Sequence, residues 1–175
     1  GGVLAYNRSL NGTYGWGGFG GGVANEGAAT FNMFGGTILG NEAEFAGGGV
    51  NNTQDSQSGT ETATFNMSGG TISGNSVTDE NGRGAGVYND DVMTMEGGAM
   101  VDADNDVYLD NAVITVTGEL TGGGAVATIT TSDPDSGTPV IEVSGGSGVT
   151  LEEALGSFAL ESGSDDELVV DQETG

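Results

Sequence analysis

Asp102, Asp104 and Asp106 stand at alternate positions with Asp110 close behind, the densest set of side chains in the chain with a chemistry of its own. A turning backbone points alternate carboxylates toward one centre, where a hard, oxygen-seeking cation such as calcium would sit. Calcium is therefore the one cofactor that these residues suggest. An EF-hand loop would need glycine where Val107 stands and glutamate where Val113 stands, so the pattern departs from that loop after its opening. The preferred reading of the same four residues is an exposed acidic corner loop.

Catalytic chemistry is narrowed by composition. The chain has no histidine, cysteine or lysine, which removes the imidazole base, the thiol nucleophile, histidine- or cysteine-ligated zinc and Schiff-base chemistry. Carboxylate pairs remain, at Asp79-Glu80 and Asp90-Asp91. Glycoside hydrolysis needs two acids facing each other across a groove, whereas neighbours on a strand point to opposite faces. With 26 acids in 175 residues, adjacent pairs follow from composition alone, and the expectation is a protein that is not an enzyme.

Only Arg8 and Arg83 are basic, and the formal net charge is −24. Residues 1–89 carry seven acids and two arginines, net −5; residues 90–175 carry 19 acids and no base, net −19. Nucleic acid is excluded as a partner, because its phosphates must be neutralised by Lys and Arg. Anionic lipid surfaces are disfavoured for the same reason, and no run of 18 apolar residues is present to span a membrane.

The elements that would position any site repeat. A glycine doublet opens the same phrase at Gly1-Gly2-Val3-Leu4, Gly35-Gly36-Thr37-Ile38 and Gly69-Gly70-Thr71-Ile72, a step of 34 residues, and a degenerate copy at Gly97-Gly98-Ala99-Met100 follows after 28. A second phrase recurs at Gly20 to Asn25, Gly47 to Asn52 and Gly84 to Asn89. Internal repetition at this period marks a solenoid, whose coils bury their apolar faces only against one another. Thr30-Phe31-Asn32-Met33 and Thr37-Ile38-Leu39-Gly40-Asn41 alternate apolar with polar residues, the period of strands with one buried face, and the doublets are expected at corners. The spacing predicts an all-β chain: a parallel β-helix (β-solenoid) of coils over residues 1–110, right-handed by the resemblance described below. Residues 111–175 are expected to form a terminal coil and an antiparallel, strand-rich cap or docking segment of the same elongated domain.

Stacking in register would align Phe31, Phe65 and Met93; Met33, Met67 and Met95; Ile38 and Ile72; and Val23, Val50 and Val87. Asn41 would lie above Asn75 and below Asn7. There the amides would either bond coil to coil or merely tolerate a left-handed turn. The segments from Thr53 to Thr62 and from Ser76 to Arg83 are expected as corner insertions. In the cap, Leu151 to Leu155 would make one helical turn, with Phe158 to Leu160 and Leu168 to Val170 as arms of a hairpin.

Residues 64–75 and 84–89, followed by Asp106 to Gly123, resemble the right-handed β-helix repeats of large secreted or wall-attached proteins of Firmicutes and related bacteria. The likeness to the repeats of polymorphic outer-membrane adhesins is looser, since their strict Gly-Gly-Ala-Ile tetrapeptide is absent. The resemblance implies an extracellular or cell-surface protein with an adhesive or scaffolding role.

Tyr6, Tyr14, Trp16 and Phe19 lie in a glycine-rich run, where aromatic faces would either stack on carbohydrate or cover the open end of the coils. Four Asn-x-Ser/Thr triplets, at Asn7, Asn11, Asn51 and Asn66, are what an asparagine-rich chain contains by chance. The chain opens on Gly1-Gly2 in mid-repeat, which reads as a piece of a longer parent chain. Unpaired strand edges are templates for another chain, so the sequence points to self-association into a fibre, with Val3 and Leu4 as acceptor and Leu168, Val169 and Val170 as donor. The alternatives are a monomeric adhesin shaft bound to a host surface, and a carbohydrate-binding or polysaccharide-degrading protein.

Overall fold

The computed structural model describes residues 1–11, 17–54, 61–132 and 139–160. They form an all-β protein of parallel sheets with one short helix. In chain order the strands are β1 (Val3–Ala5), β2 (Arg8–Ser9), β3 (Val23–Glu26), β4 (Thr30–Leu39), β5 (Glu42–Ala43), β6 (Val50–Thr53), β7 (Thr64–Ser73) and β8 (Ser76–Val77). They continue as β9 (Val87–Asn89), β10 (Val92–Val101), β11 (Asp106–Leu109), β12 (Ile114–Leu120), β13 (Ala127–Thr131) and β14 (Ile141–Val143), and end with helix α1 (Leu151–Leu155) and β15 (Phe158–Leu160).

Three sheets collect these strands. The long sheet runs β1-β4-β7-β10-β12-β14, the second β15-β13-β11-β9-β6-β3, and the short sheet β2-β5-β8. All pairings between named strands are parallel. Each pass of the chain leaves the long sheet, crosses the short one while it lasts, enters the second and returns. Thr30 pairs with Thr64, 34 residues on, and Thr64 with Val92, 28 on. Met93 then pairs with Ile114, 21 on, and Ile114 with Ile141, 27 on. The 21-residue pass is too short for a middle strand: β10 turns through Asp102 to Asn105, closed by Asn105 N–H donating to the Asp102 carbonyl at 2.8 Å, straight into β11. The short sheet therefore stops at β8.

The expected columns are present and run further than the repeats. Phe31, Phe65, Met93, Ile114 and Ile141 succeed one another along the long sheet, as do Met33, Met67, Met95, Val116 and Val143. Ile38 and Ile72 are continued by Val101. Val23, Val50, Val87, Val107, Ile129 and Leu160 line the second sheet. Phe65, Val50, Val87, Met93 and Ile114 are fully buried, and Phe31 stacks on Phe65 with ring centroids 5.3 Å apart.

Three expectations are corrected. The glycine doublets do not end strands: Gly35-Gly36, Gly69-Gly70 and Gly97-Gly98 lie inside the ten-residue β4, β7 and β10, where the register shifts. Glycine at φ near +97° (Gly36, Gly70) lets the strand kink without leaving the ladder, so the two phrases form one bent strand. Ser76 and Val77 are strand, not insertion. Among the described residues after Asp110 there is no antiparallel cap either, because β12, β13, β14 and β15 extend the parallel sheets, with Ile114, Ile129 and Phe158 in the same buried interior, while the expected hairpin arm Leu168 to Val170 lies outside them. Helix α1 forms as expected, with Thr150 and Glu153 in a reciprocal capping box and Ala154 buried.

Replacing Phe65 with Ala should destabilise the protein by about 3 to 5 kcal/mol in denaturant titration, as for an aromatic truncated in a packed core. Thr64→Ala and Asn66→Ala, on half-buried outward positions, should each cost far less. Equal losses at the three positions would overturn the side-chain alternation.

Candidate functional site

Asparagines link the passes. Asn7, Asn41, Asn75 and Asn105 stack as one amide ladder at the exit of the long sheet. Asn75 Oδ1 accepts both the backbone N–H and the Nδ2–H of Asn41, at 2.8 and 3.0 Å, and Asn105 Oδ1 does the same for Asn75, at 3.1 and 2.9 Å. The Asn75 amide also donates to the Ile38 carbonyl at 3.1 Å, and that of Asn41 to Leu4 at 3.0 Å. Asn41 is wholly buried, as is Asn105 apart from 2% of its surface. These asparagines are not in the left-handed conformation; the preceding residue is, at Gly40 (φ 62°), Gly74 (φ 60°) and, against its preference, Tyr6 (φ 58°). Bonding between passes, not tolerance of a turn, is what the amides do. Gly22 and Gly49 make room for them: a Cβ on Gly49 would stand 3.1 Å from Asn75 Nδ2 and 2.5 Å from the Gly86 carbonyl.

A second ladder, Asn25, Asn52 and Asn89, runs inside the second sheet. Asn25 Nδ2 donates to Asn52 Oδ1 and Asn52 Nδ2 to Asn89 Oδ1, each at 2.6 Å, and the spare N–H of Asn52 reaches the Val92 carbonyl at 3.0 Å. Sequence reasoning missed this ladder and the Asn105 rung. The signal was present, since asparagine ends each copy of the Gly-x-Gly-Val-x-Asn phrase. A third, partly exposed set joins Asn32, Asn66 and Thr94 on the outside of the long sheet.

The four aspartates at 102 to 110 are distributed around this frame rather than gathered. Asp104 Oδ2 accepts Gly74 N–H at 3.1 Å, and Asp102 Oδ1 accepts the neighbouring Ala103 N–H at 2.8 Å. Asp106 accepts Ala85 N–H with one oxygen and the Thr130 hydroxyl with the other, both at 2.7 Å. Asp110 Oδ2 accepts the Tyr88 hydroxyl at 2.7 Å. Among the described residues no three acidic side chains converge in a way that could hold a metal ion. Every one of these carboxylates receives a hydrogen bond, and three of them receive it from another pass of the chain.

The outer face of the second sheet carries the aromatic chemistry. Tyr88 and Tyr108 stack at 5.7 Å, and the Arg83 guanidinium lies 4.9 Å from the Tyr108 ring centre. Burial, followed by the hydrogen bond to Asp110, holds the Tyr88 hydroxyl protonated well beyond the usual tyrosine range. Burial also raises the Asp90 carboxyl; the bond from Gln54 N–H opposes this, while Asp91 and Asp110 reinforce it. Asp90 and Asp91 accept from Gln54 and Ala63 backbone N–H groups, and Asp79 accepts from Asn81. Asp79, Asp90 and Asp91 thus fasten loops.

The edge strands β1, β2 and β3 bound the stack on one side. Val3 is 67% exposed and Leu4 43%. Tyr6, Leu10 and Phe19 are also exposed, so the first pass holds five of the seven exposed large apolar side chains among the described residues. Arg8 pairs with Glu42 across β2 and β5. Leu168, Val169 and Val170 lie outside the described residues, as do Tyr14 and Trp16. Compared with protein-family models, curated proteins and solved structures, the chain matches none.

Asn75→Ala removes the acceptor of the buried Asn41 N–H groups and should cost about 2 to 4 kcal/mol in denaturant titration, against about 0.5 kcal/mol or less for the exposed Asn32→Ala. Equal losses would contradict a structural role for the buried ladder.

Asp90 binds its proton more tightly folded than unfolded. Its ionised form therefore opposes the fold above its raised pKa, and stability is recovered as pH falls from there toward the ordinary carboxylate range near ~4. Asp90→Asn, which keeps an acceptor for Gln54, should raise the neutral-pH melting temperature and flatten its rise on mild acidification. An unchanged slope would show that general charge repulsion accounts for the whole pH dependence.

Proposed function

We propose that the three sheets are the faces of a right-handed parallel β-helix serving as a non-catalytic building block at the cell surface or outside the cell, as the subunit of a fibre or the shaft of an adhesin. The observation that carries this reading is the first pass. It repeats the phrase of the later passes, pairs on one side in their register (Val3 with Thr37, Leu4 with Ile38), and presents exposed Val3, Leu4 and Tyr6 on the other. An edge of this kind accepts one more parallel strand, and the Asn7 amide stands ready to extend the ladder. Its occupant is another pass of the same grammar, supplied by a second copy of the chain.

The surface location is supported by the repeated phrases and their resemblance to secreted β-helix repeats. The charge agrees with the edge as the contact, since residues 1–89 carry net −5 against −19 for the remainder, so repulsion is weakest where the first pass lies.

Small-angle scattering across a concentration series in physiological salt should show end-to-end growth in length at constant cross-section. Leu4→Asp should abolish the growth while leaving the β-sheet circular dichroism intact. A monodisperse monomer at the highest concentration would overturn association between copies, and growth unaffected by Leu4→Asp would move the contact away from β1.

A further inference from the structure

The early end of the short sheet leaves a step. Pass three carries a long corner from Val77 to Ala85, while the next pass goes directly from β10 to β11, and beneath the overhang opens a groove of about 680 Å³. That volume lies within the range of ~300–1,000 Å³ typical of small-ligand clefts. The outward side chains Asp106 and Tyr108 of β11 and Thr128 and Thr130 of β13 contribute to its lining, together with Arg83 on the overhang and Asp104 on the β10–β11 turn.

We infer that this groove binds a neutral, hydroxyl-rich ligand, a short stretch of uncharged polysaccharide. The lining is built for hydroxyl groups, with the Arg83 guanidinium as donor, the Asp104 carboxylate as acceptor and the Thr128 hydroxyl as either. Arg83 is held over the Tyr108 ring at 4.9 Å, and Tyr108 is backed by Tyr88, so the guanidinium is placed before a ligand arrives. Asp106 engages one oxygen with Ala85 N–H and the other with the Thr130 hydroxyl, and so anchors the floor. Asp104 directs one oxygen to Gly74 N–H and has a second.

Other ligand classes fit worse. With net −24 on the chain and one cation in the lining, phosphorylated or acidic ligands meet a repulsive field. The acids in the lining do not converge on a metal ion. The inference is independent of assembly through the first pass.

The test is a titration of the ¹⁵N-labelled chain, made monodisperse by Leu4→Asp, with neutral gluco-, manno-, galacto- and N-acetylglucosamine tetrasaccharides and with tetragalacturonate as the acidic counterpart. At least one neutral sugar should shift the amide resonances of Arg83, Gly84, Thr128 and Thr130 at millimolar concentration, and the acidic sugar should not. Thr128→Val, whose hydroxyl has no hydrogen bond among the described residues, and Arg83→Gln should each weaken binding about tenfold, which is ~1.4 kcal/mol. No shifts with any neutral sugar would overturn the inference, as would shifts confined to other residues, equal binding of the acidic sugar, or affinity unchanged by both substitutions.

Discussion

A primary amide buried between strands must find partners for two donors and an acceptor, and leaving even one unpaired costs about 1 to 3 kcal/mol. Asn41 and Asn75 meet that demand with an identical residue one pass away and a backbone carbonyl, and Asn105 with the Asn75 amide above it and the carbonyls of Asn75 and Asp104. Apolar columns alone would tolerate slippage, because Met, Ile and Val occupy each other's places at modest cost. The amides do not. They fix which residue of one pass faces which residue of the next, and the ten-residue strands, the kinks at the glycine doublets and the position of each corner follow from that register.

Once the register is pinned, pass length becomes a free variable and sets the shape of the outside. Asn105 takes the ladder position of Asn75 although no middle strand separates it from β11, so the chain keeps its amide rung while dropping a whole sheet. The consequence is local: two sheets continue through six strands, the third ends after three, and the step between them becomes the groove that holds Arg83 over Tyr108. The aspartates of the short turn serve the same economy of length. Each accepts a hydrogen bond from the turn itself or from a neighbouring pass, and so they fasten a tight corner while adding charge to a surface already strongly negative.

The repeated phrases made the parallel pairing and the interior columns legible, because in-register stacking converts sequence identity directly into contact. Phe31 over Phe65 and Met33 over Met67 could be read off the spacing of 34. What was not legible came from backbone geometry and from residues outside the repeat. Glycine doublets look like corners, and only φ and register show them as kinks within one strand. The strands after Asp110 share no phrase with the earlier ones, so nothing in the sequence distinguished parallel continuation from an antiparallel cap; the buried alternation of Ile114 and Val116 serves either. The aspartates at 102 to 110 suggested a cation because spacing was visible and the direction of each oxygen was not. Asn105, between two of them, was hidden by the charge of its neighbours.

The central claim is that buried amide ladders, more than apolar columns, hold the passes in register. Hydrogen exchange of the asparagine side-chain amides, followed by NMR at native conditions, tests it most directly. The Nδ2 protons of Asn41, Asn52, Asn75 and Asn89 should exchange only through global opening, with protection equal to that of the β7 backbone, while those of Asn32 and Asn66 exchange as exposed amides do. Fast exchange at Asn41 and Asn75 alongside a protected β7 backbone would contradict the account, since the strands would then be held without their ladder.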